Sequence, residues 1–167
     1  MPPRPSMRVL VNTSPLIALD RIGRLSLLAQ LYGQVFRPQA VLDELLAAPT
    51  RIRDAEILLR ASWIVTEPDP GAMVLRKELG AGETAVLTLA WQTKSDLVIL
   101  DDLQARLVGA SLGLRLTGTL GVLLAAARAG FERDLPRALD DLQTAGFHLS
   151  ETLRRQIGDR FVAGSGA

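Results

Sequence analysis

Two adjacent carboxylates, Asp101 and Asp102, stand immediately after the apolar run Leu-Val-Ile-Leu at 97–100. That run has the length and β-branched content of a strand covered on both faces, so the acids fall where a parallel strand ends. In open α/β sheets the functional crevice lies outside the carboxyl ends of the strands, which makes acids there candidates for chemistry. Three further polar residues take comparable places. Asn12 ends a first strand at 8–11, Glu83 lies in the first turn of a helix opened by Gly-Ala-Gly, and Glu44 is mid-helix beside the apolar stripe of Val41, Leu42, Leu45 and Leu46. Glu44 can reach the others only if its helix leans over the sheet edge. Oxygen donors with no cysteine and one lone histidine suit Mg²⁺ or Mn²⁺ rather than zinc. Such a cation polarises a phosphoryl oxygen and lowers the pKa of a bound water, which hydrolyses a phosphodiester without a protein nucleophile.

Simpler roles compete for the same residues. Acids in first turns complement the helix dipole, and Asp101 and Asp102 could serve only to cap the next helix. Asp43 is expected to face solvent, His148 to be structural, and Trp63 and Trp91 to anchor the core rather than stack on bases. The GAGE and TGTLG segments lack the spacing of phosphate loops and read as helix starts.

The elements that must position these residues follow from punctuation and period. A chain of 167 residues with 48% apolar content makes one domain, able to bury roughly 70% of its unfolded surface without a staple. Zero cysteines exclude disulfides and thiolate sites and suit a reducing cytoplasm. No apolar run reaches a membrane span and the start lacks signal-peptide character, so a cytoplasmic protein is expected. The formal net charge of +1 carries no bulk footprint for nucleic acid, so binding of that kind must come from a local patch. All but two of the 19 basic residues are Arg, whose fork fits phosphate, although a GC-rich genome gives the same bias.

Residues 1–6 are Pro-rich and expected to be disordered. After the first strand, Thr13 or Ser14 is expected to cap a helix with Pro15 at its first position, over 16–22. Gly23 and Gly33 bound a second helical piece, a strand follows at 35–36, and Pro38 opens the Glu44 helix through 47. Helices are expected at 51–61, 73–79, 81–93, 103–112, 120–129 (capped by Thr119), 136–145 and 150–160. Strands are expected at 63–66, 97–100 and 114–116, Gly113 is a plausible left-handed cap, and 161–167 is expected to be a flexible tail. Strands alternating with helices imply a mostly parallel sheet of four to five strands in a three-layer α/β/α fold, a single domain over 7–160.

Three segments in order are specific: VNTSPLIALDRIGRLSLLAQLYGQVFRPQAVLDELL, LGAGETAVLTLA and LVILDDLQARLVGASLGLRLTGTLGVLLAAARAG. Together they resemble the PIN-domain superfamily, in a branch related to VapC-type toxin ribonucleases, and the likeness runs from about Val9 to Leu149. The resemblance implies a metal-dependent endoribonuclease, in some members the toxin of a toxin-antitoxin pair, with acids that bind Mg²⁺ or Mn²⁺. Carried over, the first acid position falls on Asn12, the helix glutamate on Glu44, the central acid on Glu83, and the last on Asp102 or Asp101. Asn12 departs from that pattern. An amide oxygen still ligates a hard cation, but the site loses one negative charge, which weakens metal affinity and any hydrolysis.

Two classes of function therefore stand. One is a ribonuclease with Glu44, Glu83 and Asp102 or Asp101 as catalytic metal ligands, Asn12 as a neutral ligand or water-orienting group, and Arg106 and Ser14 as RNA contacts. The other is a non-catalytic PIN-like module that binds RNA or a protein partner. A receiver-like phosphoacceptor ranks below both, because its acidic pair belongs at the end of the first strand, where Asn12 stands. The apolar pattern of 120–124 and the C-terminal helices suggests a homodimer, and a toxin would have an antitoxin partner.

Overall fold

The computed structural model describes residues 6–71 and 78–165, with side chains through residue 159. The element order is β1 (Val9–Val11), α1 (Thr13–Arg21), α2 (Leu27–Tyr32), β2 (Val35–Pro38), α3 (Gln39–Ala47), a 3-10 turn at Pro49–Arg51, α4 (Ala55–Arg60) and β3 (Ile64–Glu67). Then come α5 (Ala81–Thr93), β4 (Leu97–Ile99), α6 (Leu103–Ser111), β5 (Leu116–Thr117), α7 (Thr119–Arg128), α8 (Leu135–Thr144) and α9 (Glu151–Ser165). The expected helix at 73–79 lies largely outside the described residues, as do 1–5 of the expected disordered start.

Short apolar strands flanked by helices assemble a five-stranded parallel sheet in the order β3-β2-β1-β4-β5. Val9, Leu10 and Val11 have no exposure at all, as a central strand covered by helices on both faces requires. Helix α5 packs on α3 and α6, whereas α7 packs on α1, α2, α8 and α9, which supplies the two outer layers. Leu16, Leu28, Leu45, Leu87, Ile99 and Leu123 are fully buried in the core between them, each contributing roughly 1.5–3 kcal/mol.

The strand order places a topological switch between β1 and β4. From β1 the chain builds outward through β2 and β3, then returns to the other side of β1 for β4 and β5. A crevice opens at the carboxyl ends of the strands that flank such a switch. The Asn12 N–H donates to the Ile99 carbonyl at 3.0 Å, so Asn12 and the Leu100-Asp101 corner lie side by side at that edge.

Several local expectations are corrected. Helix α1 begins at Thr13, which puts Pro15 at its third position, and no side chain caps it. Thr119 is the first residue of α7 rather than its cap. The helix expected at 51–61 shrinks to α4, because the buried Asp20 carboxylate accepts the backbone N–H groups of Arg53 (2.6 Å) and Asp54 (2.9 Å) and holds that stretch as a loop. Strand β5 is Leu116–Thr117 only, and α9 continues through Ser165, into the stretch expected to be a tail. Trp91 is 52% exposed and anchors no core, and Leu46 is exposed rather than on the inner stripe. Gly23, Gly33 and Gly113 do hold positive φ just past α1, α2 and α6, where a side chain would be strained.

Candidate functional site

Helix α3 starts directly at the carboxyl end of β2 and buries Val41 and Leu45. Glu44, next to Leu45 on the helix, is thereby turned along the sheet edge, so the helix leans as the glutamate requires. Its Oε2 accepts the Thr13 hydroxyl at 2.5 Å, and its Oε1 accepts the Gly82 backbone N–H at 2.9 Å. One carboxylate thus joins the first turn of α1 to the first turn of α5. Its negative charge satisfies an otherwise orphaned donor at the positive end of α5. Residue 82 must be glycine for reasons of room, since a Cβ there would lie 2.5 Å from Glu44 Oε2.

Glu83 follows on the same turn. Its carboxylate folds back over Gly80, where any Cβ would collide with Oε2, and it is half-buried with no hydrogen-bond partner among the described residues. Asn12, 1% exposed, places its Oδ1 in the interior with no partner among the described residues. Leaving such an acceptor unpaired costs about 1–3 kcal/mol, so this oxygen is one that a water or a cation would satisfy.

The two aspartates divide. Asp102 is exposed and caps α6 through Oδ2, which accepts the Ala105 N–H at 2.8 Å. Asp101 is half-buried and reaches across to α7, where its oxygens accept the Thr119 N–H (2.8 Å) and hydroxyl (2.6 Å). Asp101 therefore ties the end of β4 to the start of α7. Arg106, on α6, brings Nη1 to within 3.1 Å of the point a Gly118 Cβ would occupy, and Asp101 Oδ1 is 2.7 Å from the same point. Ser14 is exposed on the first turn of α1, and Asp43 is exposed and accepts from Gln39 Nε2.

The structure thus joins Thr13, Glu44 and the α5 turn that bears Glu83 beside Asn12, and turns Asp101 and Asp102 toward other helices. Among the described residues no three acids or histidines stand close enough to cage an ion. A cation at this edge would rest on at most two carboxylates plus the Asn12 oxygen, a set of hard donors that fits Mg²⁺, which usually keeps several waters. Thr13 and Thr119, the hydroxyls that orient Glu44 and Asp101, carry roles that capping rules hide. The signal for Thr13 is its place directly after Asn12.

A family model described as PIN domain matches residues 8–161, and the chain belongs to the PIN-domain family. The family is generally nuclease-like. The fold is similar to that of a PilT N-terminus domain protein from the hyperthermophilic archaeon Sulfolobus solfataricus P2. The two share 11% identity with a TM-score of 0.53, over 87% of this chain and 98% of that one. No curated protein matches the chain. Among the described residues no helix is long and apolar enough to cross a membrane.

Proposed function

We propose that the protein is an Mg²⁺- or Mn²⁺-dependent endoribonuclease whose site is the β1/β4 switch edge. The observation that carries this reading is the buried Asn12 Oδ1, without a partner among the described residues, next in sequence to Thr13, whose hydroxyl holds the Glu44 carboxylate at the α5 turn that bears Glu83. A divalent cation bound there supplies charge neutralisation at the scissile phosphate and an acidified water. Glu44 and Glu83 hold it, with Asn12 as a neutral oxygen ligand and Asp101 at the margin. Of the two aspartates, Asp101 is the site acid, because it is half-buried and faces the Gly118 loop while Asp102 is exposed. Thr13 fixes the Glu44 rotamer, so that carboxylate is preorganised rather than recruited. Arg106 meets the RNA backbone, and Ser14 lies on the exposed rim.

A second reading is favoured by Asn12 itself. With an amide where the resemblance expects an acid, the chain would serve as a non-catalytic module that binds RNA or protein. As a nuclease it would act in the cytoplasm as a homodimer and as the toxin of a pair, with an antitoxin partner. Incubating the pure protein with a mixed panel of single-stranded and hairpin RNAs, with Mn²⁺ or with EDTA, separates the two. Cleavage only with Mn²⁺ supports the nuclease. Binding without cleavage supports the module.

A further inference from the structure

Beyond β5 a cleft of about 490 Å³ opens between the start of α6, the Gly118 loop and the connection from α8 to α9. Asp101, Arg106, Thr119 and His148 give it polar lining, while Phe147 and Leu149 are part of its apolar wall. We propose that this cleft is the subsite for one nucleotide of single-stranded RNA next to the scissile phosphate. Arg106 holds its backbone phosphate, and Phe147 and His148 stack on its base. The proposal rests on the RNA-cleaving reading of the adjoining edge and names how that substrate is held.

Four observations carry it. The volume falls within the roughly 300–1,000 Å³ of sites that enclose a small ligand. Arg106 is half-buried, yet its guanidinium has neither an ion pair nor a hydrogen bond among the described residues, so its donors are free for an anion. At the start of α7, Asp101 already takes the Thr119 N–H and hydroxyl and sets a negative charge against that helix end. Arg106 is the cationic donor of the cleft lining, and Gly118 keeps the approach to it open, since a Cβ there would crowd both Arg106 and Asp101. Finally, His148, the chain's one histidine, is exposed next to half-buried Phe147 in the cleft lining, and aromatic side chains at a cleft wall offer a surface for an unstacked base. With a net charge of +1, such a local patch is what nucleic-acid binding by this chain requires. Asp101, which lines the cleft, closely follows the end of β4, so the cleft adjoins the β1/β4 edge.

The test is fluorescence anisotropy of a labelled single-stranded RNA octamer in EDTA, which separates binding from cleavage, over a range of salt concentrations. Arg106→Ala is expected to weaken binding about tenfold and to reduce the slope of log Kd against log salt by about 0.7, the signature of one lost phosphate contact, while Arg106→Lys keeps the slope. His148→Ala weakens binding without altering the slope, and His148→Phe restores it. Melting curves check that each variant is folded. Unchanged affinity and slope in Arg106→Ala and His148→Ala, or no RNA binding by the parent, overturns the proposal. The two readings fail separately. This binding signature without Mn²⁺-dependent cleavage keeps the cleft and removes the nuclease, and cleavage with binding indifferent to both variants removes the cleft alone.

Discussion

The Glu44 carboxylate accepts the Gly82 backbone N–H at 2.9 Å, so a residue of α3 closes the amino end of the helix that carries Glu83. Two acids separated by 39 positions are thereby held on one turn, and the position of either depends on the other. Glu44 thus does structural work of its own, while Glu83 makes no hydrogen bond among the described residues, which makes their roles separable by experiment.

Gly82→Ala tests that coupling. The new Cβ would lie 2.5 Å from Glu44 Oε2 and must push the carboxylate off its donors. We expect a loss of about 1–3 kcal/mol in urea unfolding and a smaller Mn²⁺ effect on melting. Gly71→Ala is the control, since a Cβ there meets nothing within 4 Å among the described residues. Equal stability of the two variants would show that Glu44 is not held as described.

Asp101→Asn should destabilise the protein by about 1–2 kcal/mol, because the amide loses charge and one of the two acceptors that hold Thr119. Thr119→Val removes only the hydroxyl bond and should cost less. Thermal melts of the single and double variants form a cycle, and full additivity would mean that the two residues do not interact.

Acid stability should report Glu67. The Arg8 guanidinium hydrogen-bonds its carboxylate in two places, at 2.9 and 2.6 Å, and this holds the Glu67 pKa below the ordinary 4.5. A depressed folded pKa gives stability that is present above 4.5 and disappears as the pH falls through the lowered value. Glu67→Gln should cost about 1 kcal/mol at neutral pH, a modest figure for a partly exposed pair, and should flatten the acid limb below pH 4.5. Urea midpoints from pH 7 to pH 3 check both, and an unaltered acid limb would place the sensitivity elsewhere.

The central strands, the parallel sheet and the glycine helix ends were legible because each follows from a local pattern: the apolar runs at β1 and β4, their alternation with helices, and Gly23, Gly33 and Gly113 after helical periods. What was hidden depends on partners distant in sequence. Asp20 sits among buried Leu16, Ile17 and Leu19, and nothing local shows that it will bind the amides of Arg53 and Asp54 and shorten α4. Arg37 reads as a strand-end charge, yet it is 1% exposed, with burial lowering its pKa and Thr66 and the Leu58 carbonyl as acceptors. Of the candidate site, the residue types could be read from their places at strand and helix ends. That Asp101 and not Asp102 turns to the Gly118 loop required the α7 start, 18 residues on, to be in place.

Asn12→Asp probes the position that departs from the family pattern. Adding a carboxylate beside Glu44 and Glu83 should lower the metal-free melting point through like-charge repulsion and tighten Mn²⁺ binding. At a hundredfold excess over Kd the metal should add about 2.7 kcal/mol, several degrees for a chain of this size. Glu83→Gln should reverse both effects, with a firmer metal-free protein and no Mn²⁺ shift. Differential scanning calorimetry of the parent and both variants with and without Mn²⁺ reads all six states, and an identical metal response in both variants would reduce these acids to helix caps.

The central claim is metal-dependent RNA cleavage at the β1/β4 edge, and the direct measurement is the cleavage rate on the RNA panel with Mn²⁺ for the parent, Asn12→Asp and Glu83→Gln. The account predicts slow cutting by the parent that EDTA stops, faster cutting by Asn12→Asp, and a loss of about a hundredfold in Glu83→Gln. Cleavage that survives EDTA, equal rates in the parent and Glu83→Gln, or no cutting by the parent and Asn12→Asp alike would contradict it.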